Sequence, residues 1–127
     1  MSDRELLVER LESVLEWLER IPRRFEGVSR PEDFRAGAEG LDRLDAICMM
    51  LIAAGEEFKK IDRKTGGTLF SRYPDVNWRG AIGLRDVMAH GYPDADTDEL
   101  FKICRDNVPP LIATLRAMIE DLKHGPA

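Results

Sequence analysis

The sequence predicts an all-α protein, an up-and-down bundle of four to five main helices with short extra helices. Three observations predict it. Apolar residues recur in steps of three and four along most of the 127-residue chain, the spacing that places them on one side of a helix. No segment alternates apolar and polar residues for more than a few positions, so no sheet is expected. Helix start and stop signals punctuate the apolar stripes at intervals that suit a small bundle.

The first helix starts at Ser2. Ser2 and Glu5 have capping-box spacing, in which each can satisfy an orphan amide at the helix start. Leu7, Leu11, Val14, Leu18, Ile21 and Phe25 form its stripe. Pro22 removes a backbone donor and is expected to kink or end the helix. A turn follows over residues 26–31. The second helix is expected to open with Ser29 and Glu32 as a capping box and Pro31 in its first turn, with an irregular part from Phe34 to Gly40. From Leu41 to Ile61 the pattern is strong. Leu41, Leu44, Cys48, Leu51, Gly55 and Phe58 form a seam, and Ile47, Met49, Met50 and Ile52 widen it until the helix is apolar nearly all round, as a central helix should be. Gly55 offers close approach to a neighbour.

Residues 59–74, with Gly66-Gly67 and Tyr73-Pro74, read as a surface loop. The third helix is expected from Asp75 or Asn77 to His90, with Gly91 as a left-handed cap. A turn is expected at residues 93–96. Asp96 and Glu99 can cap a fourth helix from Thr97 to about Asp106, residues 107–110 bend the chain, and Val108, Leu111, Leu115, Met118, Ile119 and Leu122 line the last helix. Gly125-Pro126 stops it.

The length suits one domain with a real core, taken as residues 1–127. Hydrophobic residues make up 43% and charged residues 34%, an ordinary globular composition. The net charge of −5 argues against a surface coated in basic charge for nonspecific nucleic-acid binding, though not against a local basic groove. Cys48 and Cys104 each stand alone in an apolar stretch and read as buried thiols; no Cys/His spacing suggests a metal, and no cofactor is expected. The N-terminal residues are too charged for a signal peptide, and the longest apolar run, Ala46 to Ala54, is about half a membrane span. A soluble, reduced, cytoplasmic protein without membrane contact is the expectation.

The chemistry gathers in the third helix, in the stretch GLRDVMAHGY from Gly83 to Tyr92. At about 100° per residue, Trp78, Ala81, Ile82, Leu84, Met88 and Ala89 form the apolar arc, and Arg85 falls inside it, between Ala81 and Trp78. One reading is a buried structural ion pair, for example with Glu56, since a buried charge without a partner is costly. The other is a cation held in a dry cleft for a phosphate, whose oxygens match the planar guanidinium. His90 stands at a helix C-terminus, where the dipole favours its protonated form, and a histidine titrating near neutral pH is the usual general acid or base. His124, the other histidine, belongs to a polar tail. A five-residue step puts Arg85 and His90 roughly 140° apart on an ideal helix, so they converge only at a fraying helix end or across a two-fold axis from a second chain. Asp86 can orient either of them or simply face water. Tyr92 follows with a hydroxyl that can donate, stack or be modified. Trp78 reads either as core or as a base-stacking platform.

The segment YPDVNWRGAIGLRDVMAHGY, followed by DTDELFKICRDNVPPLIATL, resembles the HepT-like branch of the HEPN superfamily. Its signature is Arg, four residues, His, any residue, Tyr, filled here by Arg85, His90 and Tyr92. The upstream LDRLDAICMMLIAAGEEFKKID is similar to the family's long helix with its Gly-Glu pair, here Gly55-Glu56; the resemblance covers about Phe34 to Leu122. Glu57 departs from relatives that carry alanine there. The resemblance implies a HEPN-like bundle and a metal-independent endoribonuclease, the toxin of a toxin–antitoxin pair of the type VII kind. It implies a homodimer whose two signature helices line one cleft, with Arg85 and His90 as catalytic residues beside Tyr92; Asp86 is taken as a supporting residue from its place next to Arg85. It also implies a minimal nucleotidyltransferase antitoxin that transfers adenylate to Tyr92. A noncatalytic module that docks such a nucleotidyltransferase, or a nucleotide, is the alternative, and a plain structural bundle a third. For RNA phosphates the sequence offers two basic clusters, Arg20, Arg23 and Arg24, and Lys59, Lys60, Arg63 and Lys64.

Overall fold

The computed structural model describes residues 2–91 and 96–125, without the side chains of Val87, Ala89 and His90. Five α-helices follow one another: α1 (Asp3–Phe25), α2 (Ala38–Lys64), α3 (Trp78–Gly91), α4 (Thr97–Lys102) and α5 (Val108–His124). Short 3-10 turns lie at Pro31–Arg35 and Phe70–Arg72, and a π-helical stretch, Ile103–Asn107, joins α4 to α5. The protein is an all-α bundle, with no strand among the described residues. In space α2 packs between α3 and α1, and α1 packs in turn on α5.

The first helix starts as its sequence demands. The Glu5 amide donates to Ser2 Oγ at 3.1 Å, and Ser2 Oγ donates back to Glu5 Oε1 at 3.1 Å. Val8, Leu11, Val14, Leu18 and Ile21 are buried. Pro22 does not end α1, which runs on to Phe25. The Phe25 ring packs against Phe101 (5.1 Å between centroids) and Phe34 (6.4 Å), and that packing holds the last turn despite the missing donor. The capping box expected of Ser29 and Glu32 is absent. Asp33 takes the role instead, accepting from the Ser29 and Arg30 amides at 2.8 and 3.2 Å. What forms there is the separate 3-10 turn, whose Phe34 is fully buried, and α2 begins after it.

Two expectations for α2 need correction. The helix is not buried all round: Met49 is 59% exposed and Leu41, placed on the inner seam from sequence, is 41% exposed. The buried face is Leu44, Ile47, Cys48, Leu51, Ala54, Gly55, Phe58 and Ile61, which turns toward α1 and α3. The helix also extends to Lys64, so the connection starts six residues later than expected. Gly66 and Gly67, at φ +61° and +77°, end it in the left-handed region that glycine adopts without penalty, and the Gly67 amide returns to the Asp62 carbonyl at 2.9 Å. The connection that follows is not a mere surface loop. It inserts Leu69 and Phe70 into the core. Phe70 stacks on Trp78 with ring centroids 4.1 Å apart, and Phe58 meets Trp78 edge-on at 5.5 Å. The Trp78 indole donates to the Tyr73 carbonyl at 2.8 Å. Trp78 is therefore core and not an exposed stacking platform.

Asn77 caps α3, accepting from the Gly80 amide at 3.1 Å. Asp96 caps α4, accepting from the Asp98 and Glu99 amides at 3.0 and 3.2 Å. The bend expected near residue 107 is the π-helical stretch. Pro109 and Pro110 supply no amide, and their rings crowd the carbonyls one turn back; widening that turn lets the helical path continue into α5. Cys48 and Cys104 are buried free thiols, with pKa values pushed up to about 11 and about 12, mainly by desolvation. Among the described residues no helix is long and apolar enough to cross a membrane.

Candidate functional site

The site starts at the crossing of α2 and α3. A Cβ on Gly55 would stand 3.0 Å from the Arg85 amide nitrogen, 3.2 Å from the Ala81 carbonyl oxygen and 3.3 Å from that of Ile82. Only a residue without a side chain lets the two backbones come this close. Trp78, Ala81 and Met88 are buried on the inner side of α3, while Ile82 and Leu84 are half-buried.

The backbone of Arg85 thus belongs to the helix contact, but its side chain does not stay there. It is 51% exposed. Its Nε donates to Glu56 Oε1 at 2.9 Å, and one terminal nitrogen donates to Asp86 Oδ1 at 3.1 Å. Glu56 directly follows Gly55, so the same close approach that removes one side chain sets a carboxylate beside the guanidinium. These bonds, to Asp86 first and then to Glu56, raise the pKa of Arg85 above the ordinary arginine value. The group carries a permanent charge held in one orientation from two sides.

Both sequence readings of Arg85 are therefore amended. The Glu56 pair exists, but Glu56 is 48% exposed and Asp86 77%, so it is not a buried structural bridge. Nor is the guanidinium in a dry cleft within one chain. It lies at the mouth of an open groove of about 410 Å³ between α2 and α3. Lys59, Lys60, Arg63 and Arg79 line the groove with Arg85, against the carboxylates Glu56 and Asp86. Three members of the second basic cluster reach it; Lys64 instead lines a separate cleft with Asp3 and Arg4. Arg20, Arg23 and Arg24 are on α1, and none of them lines the groove.

Of the other signature residues, His90 belongs to the last turn of α3, but its side chain lies outside the described residues, as do the whole of Tyr92 and residues 93–95 of the turn expected at 93–96. Glu57, the departure from the family pattern, turns away from the groove and bonds Arg10 of α1 at 2.8 Å. His124 is exposed and lies 3.5 Å from Glu120. Sequence reasoning passed over Arg79, which carries no motif and is shown only by the groove. It saw Glu56 as a mere counter-charge. Among the described residues no three His, Cys, Asp or Glu side chains are grouped to hold a metal ion.

Fold and groove together define a class, a small helical bundle with an arginine held between two carboxylates in a cationic interhelical groove. The family described as ribonuclease HepT-like matches residues 12–118, and the chain belongs to that family. No solved structure matches it.

Proposed function

We propose that this protein is a metal-independent endoribonuclease, the toxin of a type VII-like toxin–antitoxin pair, acting in the cytoplasm as a single helical domain that pairs into a homodimer. The observation that carries the reading is the setting of Arg85 in a chain of the ribonuclease HepT-like family. It is half exposed in a groove open to a large ligand and fixed by Glu56 and Asp86.

The chemistry follows from the residues. A base takes the proton of a ribose 2′-hydroxyl, whose oxygen attacks the adjacent phosphorus. The P–O5′ bond breaks, and an acid protonates the leaving oxygen, leaving a 2′,3′-cyclic phosphate and a 5′-hydroxyl. His90, from one or both chains, moves these protons, a contribution of about 10²–10⁴-fold. Arg85 stabilises the charge that gathers on the phosphate oxygens. Asp86 and Glu56 position Arg85.

Two features support the dimer. Arg85 sits on a helix that runs unbroken to Gly91, and a five-residue step on such a helix leaves two side chains roughly 140° apart, so a second chain is the natural source of the missing group. The exposed Met49 lies on the same helix as Glu56, two turns before it on the same stripe, and offers an apolar contact point to a second chain. Closure by a second chain would also supply the water-poor setting in which Arg85 acts most strongly. A minimal nucleotidyltransferase antitoxin would silence the enzyme by adenylating Tyr92, which puts an anion and a bulky nucleotide next to the cleft.

A second reading is a noncatalytic module that docks the nucleotidyltransferase or a nucleotide. The neutralisation of Arg85 by two carboxylates favours it. Cleavage of a mixed RNA pool in chelator, beside a His90→Ala control, decides between them. Cleavage by the wild type alone, leaving cyclic-phosphate ends, is expected. No cleavage, from protein whose mass shows no adenylate, sinks the ribonuclease reading and leaves the docking module.

A further inference from the structure

We propose that single-stranded RNA enters the site along the C-terminal half of α2, with its backbone phosphates held by Lys59, Lys60 and Arg63 of α2 and Arg79 of α3. The proposal rests on the ribonuclease reading for the identity of the ligand, and on the groove for its path.

Charge is the first argument. The chain carries a net −5, yet the groove collects the cations Lys59, Lys60, Arg63, Arg79 and Arg85 against Glu56 and Asp86. Elsewhere some cations have a carboxylate partner, Arg10, Arg116 and Lys123 among them, and others, such as Arg23 and Arg72, have none among the described residues, but only in the groove do four of the latter line one concavity with Arg85. In the groove, Lys59, Lys60, Arg63 and Arg79 are exposed and have no ion-pair partner among the described residues. Unpaired like charges facing one concavity repel one another, and a polyanion relieves that repulsion while releasing its own counterions.

Geometry is the second. Met49, Glu56 and Arg63 are seven residues apart, so each falls within about 20° of the last around α2. One outer stripe of the helix therefore changes character along its length, from the exposed Met49, through Glu56 with its bound Arg85, to the basic end. Lys60 and Arg63 stand roughly 6 and 10 Å along the axis from Glu56, so they meet phosphates on one side of the scissile one. The wall at Gly83 is bare, since a Cβ there would meet nothing within 4 Å, and a backbone can lie against it.

The test is fluorescence anisotropy with a 2′-O-methylated single-stranded RNA, which lacks the attacking hydroxyl and cannot be cleaved. Wild type is compared with Lys60→Gln/Arg63→Gln, with Arg79→Gln, and with Arg23→Gln/Arg24→Gln on α1. The groove double variant is expected to weaken binding by roughly tenfold at moderate salt. It should also lower the slope of log affinity against log salt by about 1.4, at about 0.7 per lost phosphate contact. The α1 variant should change neither. Unchanged affinity in both groove variants, a larger loss in the α1 variant, or no binding by the wild type overturns the proposal. Cleavage of the unmodified RNA in chelator is followed separately. Protein that binds through the groove and never cleaves sinks the ribonuclease reading alone; protein that cleaves as well without the groove cations as with them sinks this proposal alone.

Discussion

Arg85 shows how a residue can sit on an apolar arc and still be wet. Its backbone packs against Gly55, and its long side chain carries the charge out to Glu56 and Asp86, as arginines at the rim of a contact do. Both carboxylates are about half exposed or more, so water competes for every bond in the trio and its contribution to stability is small. Arg85→Ala should therefore leave the thermal unfolding midpoint where it is, while lowering RNA cleavage by about 10²–10³-fold. Unfolding of the variant would return Arg85 to a structural role. The two thiols make the opposite case. Burial raises the pKa of both, which keeps them protonated and unreactive at neutral pH, and Cys48 does no more than pack against Met88, sulfur to sulfur at 3.9 Å.

At the scale of the element, the groove exists because α2 and α3 touch at Gly55 and are free at Gly83. These two glycines invite opposite substitutions. Replacing either by alanine raises helix propensity by up to about 1 kcal/mol. At Gly83 the new methyl meets nothing within 4 Å, so Gly83→Ala should be stabilising. At Gly55 it meets backbone atoms at 3.0–3.3 Å, which cannot rotate away, and overpacking of this kind costs about 1–3 kcal/mol. Gly55→Ala should come out less stable than the wild type by about 1 kcal/mol in chemical denaturation, and it should shift Arg85 relative to Glu56. Equal stabilisation at both positions would mean that the crossing is looser than described. The π-helical stretch makes a similar point. Two prolines that look like a break in the sequence are absorbed as one widened turn, and the helical path from Thr97 to His124 survives.

At the scale of the whole molecule, a polar contact ties the segment between α2 and α3 to the last helix. The Tyr73 hydroxyl donates to Asp121 Oδ2 on α5 at 2.6 Å. Desolvation, then this bond, pushes its pKa from 10.0 up to about 12. The fold thus prefers the neutral phenol, and its stabilisation is complete below pH 10 and lost as pH rises through about 12. The stability difference between wild type and Tyr73→Phe should hold constant up to about pH 10 and shrink between there and pH 12. A difference that stays flat across that range would detach Tyr73 from the docking of α5. At this scale the molecule also has two unlike sides. On α2 the inner face is closed by α1 and α3, and the outer stripe is open, apolar at Met49 and cationic at Arg63.

The sequence by itself determined the all-α class, the caps at Ser2 and Asp96, most of the stripes that face the core, and the family to which Arg85, His90 and Tyr92 point. All of these are local: a cap or a stripe is decided within one or two turns, by spacing alone. What the sequence left open depended on partners far along the chain. That Leu41 faces water, that Phe25 holds its helix together past Pro22, and that Phe70 plugs the core under Trp78 are settled by which helix lies opposite. The same holds for the site. A wheel places Arg85 among apolar neighbours, but only the Gly55 crossing sends its charge outward. Only the tertiary structure brings Arg79 and three cations of α2 into one groove, because charges on separate helices share a field when packing sets them side by side.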